Sequence, residues 1–181
     1  MPGAKELLQY LTQSKVPWAV ATSGRMAGAR PALEAIGVDP ARVPVITRDQ
    51  VQHAKPDPDL FIAATNRLGL GVADAVVVGD SVWDLLAARR ARALGVGFLS
   101  GGYGREELER AGAYRVYDDP ADLLRHALIV EVPKRNGART ATAEDYGSPH
   151  SLIPVIMPAK YSGGSSPGRR NSGFLKPPAA R

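Results

Sequence analysis

The sequence contains no cysteine, which removes disulfide frameworks, thiolate metal sites and a cysteine nucleophile from consideration. Histidine is nearly as scarce. His53, His126 and His150 are scattered singly, so an all-histidine metal cluster is not expected. No apolar run approaches the roughly eighteen residues that a membrane span takes. The amino-terminal MPGAKELLQYL carries one lysine and no long apolar core, unlike a secretory signal. These absences give a cytoplasmic protein, with no membrane partner, as the expectation. An excess of charge of one sign is also missing from most of the chain. Residues 1–130 hold 15 basic and 15 acidic side chains, whereas residues 131–181 hold 8 basic and 3 acidic ones, which accounts for the net charge of +5. The basic balance therefore belongs to the final stretch. That stretch lacks interleaved aromatics, and charge alone gives no ground for a nucleic-acid partner.

Residues 1–130 alternate between two kinds of segment. Short apolar runs end in small or acidic residues: Trp18–Thr22, Ala75–Asp80, Val96–Ser100 and Tyr114–Asp118. Between them lie stretches of helical spacing at 4–14, 25–36, 58–68, 82–94, 105–111 and 120–128. Gly37, Gly69, Gly95 and Gly112 stand where helices should stop. A run such as VVV is apolar on both faces, as a parallel strand covered on each side by helices must be. The fold class expected is α/β, a Rossmann-like doubly wound parallel sheet. Residues 131–181 contain 7 Pro, 6 Gly and 6 Ser. Such a composition cannot bury enough apolar surface to offset its ordering entropy. The expected division is a core at 1–130 and a disordered, basic Pro/Gly/Ser-rich tail at 131–181. The tail's one apolar patch, SLIPVIMP at 151–158, contains two prolines, which argue against a central strand.

Ligands of an open α/β sheet bind beyond the carboxyl ends of its strands, so the residues following each apolar run are the candidates. Thr22-Ser23-Gly24 offers hydroxyls and backbone N–H groups ahead of a helix, which suits a phosphate; Ser23 as an ordinary N-cap is the competing reading. Lys55 lies in Ala54-Lys55-Pro56-Asp57-Pro58, where two prolines stiffen the loop. The lysine is either a held, phosphate-neutralising ammonium or a solvated residue beside a helix start. Asp80 ends an apolar strand and Asp84 follows four residues later in the first helical turn. Paired carboxylates there suit Mg²⁺; the alternative is Asp80 or Ser81 as N-cap, with Asp84 complementing the helix dipole. Trp18 and Trp83 read as core or wall residues, and His53 as a loop residue.

In order and spacing, Thr22, Lys55 within KPDP, and Gly79-Asp80-Ser81 with Asp84 resemble three motifs of the haloacid dehalogenase superfamily of phosphohydrolases. The similarity extends from about Pro2 to Leu128 and is closest to the phosphoglycolate phosphatase and β-phosphoglucomutase branch. LSGGYGREEL and YDDPADLL are also similar to this family. The resemblance implies Mg²⁺-dependent hydrolysis of a small phosphorylated metabolite through an aspartyl nucleophile. It implies phosphate binding by Thr22, Ser23, Gly24 and Lys55, catalytic roles for Lys55 and Asp80, and metal binding by Asp80 and Asp84.

The departure from the family is equally specific. The family's first motif, Asp-x-Asp at the end of an apolar strand, has no counterpart. Asp57-Pro58-Asp59 opens a helix and is already part of the lysine motif. The resemblance therefore implies a truncated or mis-started product lacking the nucleophile, one central strand and the cap, with a shifted reading frame at its end. As it stands the chain is expected to be a very poor phosphatase, or a non-catalytic phosphate- or partner-binding remnant. The slot left by the missing strand could close by direct pairing of 17–22 with 75–80, be filled by another segment such as Ile153–Met157, or require another polypeptide. Direct pairing is the expectation for the structure, and dependence on another polypeptide the expectation in solution.

Overall fold

The computed structural model describes residues 1–126 and a strand at 155–157. Six helices alternate with five strands: α1 (Ala4–Gln13), β1 (Trp18–Ala21), α2 (Met26–Ala35), β2 (Val45–Ile46), α3 (Asp59–Leu68), β3 (Val76–Gly79), α4 (Val82–Ala91), β4 (Leu94–Phe98), α5 (Arg105–Ala111), β5 (Ala113–Tyr117) and α6 (Pro120–His126). A sixth strand, β6, is Val155–Met157. The strand order is β2-β1-β6-β3-β4-β5, and every pairing is parallel.

Strand side chains alternate between two helical layers, as the period of two requires. Val20, Val76, Val78, Val96 and Phe98 pack toward Leu7, Leu8 and Leu11 of α1, Leu33 of α2 and Leu123 of α6. Ala19, Ala21, Ile46 and Val77 pack toward Leu60, Phe61 and Ala64 of α3 and Ala87 and Ala88 of α4. Leu85 of α4 and Leu108 of α5 cover Val116 at the β5 end. This is the doubly wound α/β sheet expected from the sequence. Gly69 and Gly112 close α3 and α5 in the left-handed conformation. Gly95 does not close α4, which ends at Arg92. It lies inside β4, where a side chain would press on Leu85 and on the Gly112 carbonyl.

The centre of the sheet departs from expectation. Strands β1 and β3 do not pair directly. The patch whose prolines argue against a central strand supplies that strand: β6 pairs with Trp18, Ala19 and Val20 on one side and with Val76 and Val77 on the other. The prolines bracket the strand instead of interrupting it. Pro154 and Pro158 flank a segment of three residues, and each lacks the N–H that a ladder takes. The rest of the proposed disordered tail lies outside the described residues. No helix among the described residues is long and apolar enough to cross a membrane.

Candidate active site

Because all strands run the same way, the residues that follow β1 and β3 emerge at one edge of the sheet. Thr22 follows β1 and Asp80 follows β3. One strand separates them, so they stand two strand spacings apart, about 10 Å.

Thr22 is buried, and its hydroxyl accepts a hydrogen bond from the Gly24 N–H at 3.1 Å. The bond folds Thr22-Ser23-Gly24 into a tight turn at the sheet edge. Ser23 is not the N-cap of α2. That position belongs to Arg25, and no side chain caps the helix. The competing reading of Ser23 therefore falls away.

Lys55 is withdrawn from solvent, with a side chain 8% exposed. The Asp57 N–H bonds back to the Ala54 carbonyl at 3.0 Å, closing a turn around Lys55-Pro56. The Lys55 ammonium donates to Asp84 Oδ1 at 2.5 Å and sits 5.6 Å from the centre of the Phe61 ring. Asp84 is buried as well. Its other oxygen, Oδ2, accepts from the Ser81 hydroxyl at 2.6 Å and from the Ser81 N–H at 3.2 Å. Ser81 is the N-cap of α4 and accepts in return from the Asp84 N–H at 3.3 Å. This reciprocal box satisfies donors that a helix start leaves open, and it fixes the carboxylate that holds Lys55.

Two glycines make the arrangement sterically feasible. A Cβ on Gly79 would overlap the Asp84 side chain, and one on Gly101 would overlap the Asp80 carbonyl. The Gly101-Gly102 loop after β4 is thus pressed against the end of β3. The sequence gives no sign of which backbone this loop approaches.

The sequence pairs Asp84 with Asp80 as metal acids. In the structure the Asp84 carboxylate bonds to Lys55 and Ser81. Asp80 Oδ2 is buried at the end of β3. Among the described residues no group of three or more His, Asp or Glu side chains is placed to hold a metal. A magnesium ion takes one or two protein carboxylates together with phosphate and water. Asp80 fits one such position, and the described residues offer no complete protein site.

Around this centre, His53 is tied to α3, with its N–H and Nδ1 each 3.0 Å from Asp59 Oδ2. The His53 backbone N–H holds the Asp59 carboxyl below its ordinary value, with the His53 ring adding to the effect. Trp18 is partly buried and donates from Nε1 to the Thr12 hydroxyl. Trp83 is not a core residue: it is 49% exposed on the first turn of α4.

Residues 1–92 match the model of the haloacid dehalogenase-like hydrolase family. A phosphoglycolate phosphatase of Rhodospirillum rubrum is 35% identical over 122 residues, covering 67% of this chain and 50% of that protein. Among solved structures, a hydrolase from Pseudomonas syringae shares 50% identity at a TM-score of 0.70, covering 72% of this chain and 62% of its own. A haloacid dehalogenase family hydrolase from Deinococcus radiodurans, solved with bound phosphate and sodium, shares 32% identity at a TM-score of 0.57, covering 71% and 58%. The chain spans about half the length of the curated relatives it matches. With the family match running through β1, the lysine loop and the start of α4, over half of its length, the chain belongs to the haloacid dehalogenase-like hydrolases.

Proposed function

We propose that this chain binds the phosphoryl group of a small phosphate monoester at the carboxyl edge of β1 and β3, and that it supplies the charge-neutralising part of a phosphatase site. The observation that carries this reading is Lys55, buried and aimed by a fixed Asp84. An ammonium has three donors, and Asp84 takes one. A cation kept in one place without reorganisation is what developing phosphoryl charge requires. The Thr22 hydroxyl and the Ser23 backbone N–H supply further donors for phosphoryl oxygens, and the Gly24 N–H holds the Thr22 hydroxyl in place. Asp84 positions Lys55. Asp80 is the carboxylate that would hold Mg²⁺, which when bound neutralises and orients the phosphate.

A second reading, a phosphate-binding protein without turnover, is favoured by one feature. In the sequence β6 is followed by Pro158, Ala159 and Lys160, so no carboxylate follows the central strand to attack phosphorus. Calorimetric titration of the purified chain with inorganic phosphate tests the binding claim. Binding that falls at least tenfold in both Lys55→Ala and Thr22→Val is expected, and absence of binding overturns the proposal. Hydrolysis of p-nitrophenyl phosphate with Mg²⁺ separates the two readings. Loss of a covalent nucleophile costs on the order of 10⁴-fold or more in kcat, so almost no turnover is expected. An ordinary rate, abolished by Asp80→Asn, excludes the binding-only reading.

A further inference from the structure

Neither the core nor its own helix explains Trp83. Among the described residues it is the most exposed large apolar side chain, at 49%, so packing gives no reason for it. It stands second in α4, in a first turn that favours acidic residues over an indole. Its place in the helix sets its direction in two ways. Around the axis, Trp83, Ala87 and Arg90 share one stripe, being four and seven residues apart. Ala87 packs with Leu60, Phe61 and Ala64 of α3, and Arg90 reaches Asp57 of the lysine loop at 3.5 Å. The stripe therefore faces α3 and the lysine loop, whereas Leu85 faces Leu108 of α5. Along the axis, helical side chains lean toward the amino end. The amino end of α4 is the edge where β3 delivers Asp80. An indole in the first turn thus leans past that edge on the side of Lys55, whose ammonium is held by the next residue, Asp84.

We propose that Trp83 is the wall of a subsite for the alcohol half of the phosphate monoester, and that it selects a ring-bearing alcohol over a short acyclic one. The inference rests on the phosphoryl site at Thr22, Lys55 and Asp80 proposed above. Thr22 and the Lys55 side chain are buried, so they lie behind a phosphoryl group that they bind. The ester oxygen then points out of the sheet edge, and the alcohol lies on the solvent side, where Trp83 stands. An indole offers a large, rigid, apolar face at small cost in side-chain freedom. A flat ring, or the C–H face of a sugar ring, covers that face; an alcohol of one or two carbons does not. The subsite selects by contact area, and the phosphoryl donors bind the headgroup that all such esters share.

The test uses the full chain and two phosphonates that it cannot hydrolyse as esters. Phenylphosphonate and methylphosphonate present the same headgroup, and only the first carries a ring. Calorimetric titration should show phenylphosphonate binding at least tenfold more tightly. Trp83→Ala should remove that advantage and leave methylphosphonate affinity within about twofold, while Trp83→Phe should keep most of the advantage. Should Trp83→Ala fail to fold, Trp83→Gln, which keeps a long side chain without the aromatic face, makes the same comparison. Phenylphosphonate should also change the indole emission of the unmodified chain. That change should vanish in Trp83→Phe, which retains Trp18 at the opposite end of β1. Methylphosphonate binding with no preference for the ring, or a preference that survives Trp83→Ala, overturns the inference and leaves the phosphoryl site standing. An emission change that is absent from the unmodified chain, or that persists in Trp83→Phe, overturns it likewise. Failure of both phosphonates to bind overturns the phosphoryl site and the subsite together.

Discussion

Lys55 and Asp84 form an ion pair removed from water, with side chains 8% and 3% exposed. In such a pair desolvation offsets much of the Coulomb attraction, and the large penalty comes from removing one partner alone. Asp84→Ala should therefore cost about 3–5 kcal/mol, read by urea unfolding. The double variant Lys55→Met, Asp84→Leu should recover most of that loss without recovering phosphate binding. If the double variant is no more stable than Asp84→Ala, the uncompensated ammonium is not the source of the loss. The pair also marks a limit of the sequence. The sequence groups Thr22, Lys55, Asp80 and Asp84 because each stands in a strand-to-helix connection or in the first turn of a helix. That Lys55 reaches Asp84 was not legible. The two are 29 residues apart, and only the packing of α3 against α4 brings them together.

At the scale of the element, the box at the start of α4 links helix stability to the site. Ser81→Ala removes the cap at a cost of about 1 kcal/mol and frees the Asp84 carboxylate to turn. Phosphate affinity should fall along with the melting temperature. A variant that melts lower but binds phosphate unchanged would show that Ser81 caps without positioning. Acid sensitivity also belongs to elements. In α6 the Asp122 carboxyl is held below its ordinary value, chiefly by the Asp118 N–H and then by Arg125; Asp59 at the start of α3 is lowered by His53. A carboxyl lowered by folding contributes stability that is present above the ordinary carboxylate range, about pH 4, and is lost as pH falls through its folded value. The stability gap between the unmodified chain and Asp122→Asn should thus be present near neutrality and close in acid. A gap that widens toward low pH contradicts this assignment. Most elements were readable from apolar spacing. β2 was not, because two residues carry no period, and Gly95 was misplaced because a glycine needed for strand packing looks the same as a helix stop.

For the whole molecule the decisive element is β6, which periodicity could not reveal because its reason for being a strand lies outside it. An apolar triplet between prolines has no local preference strong enough to announce itself; the open edges of β1 and β3 supply the partner. Residues 1–126 contain two sheet fragments, one of two strands and one of three, with no described strand pair between them. β6 joins them through three registered pairs to β1 and two to β3. A backbone hydrogen bond contributes about 0.5–1.5 kcal/mol net, and burying its groups without a partner costs about 1–3 kcal/mol each. Loss of the strand thus removes several kcal/mol from a total that for a domain is about 5–15 kcal/mol. A chain ending after residue 130 should melt about 10 °C or more below the full chain, or without a cooperative transition. Scanning calorimetry of both proteins, at equal concentration and without phosphate, makes the comparison. An unchanged, sharp transition in the shortened chain would mean that β1 and β3 close on each other at no cost. The centre of this sheet would then need no strand at all.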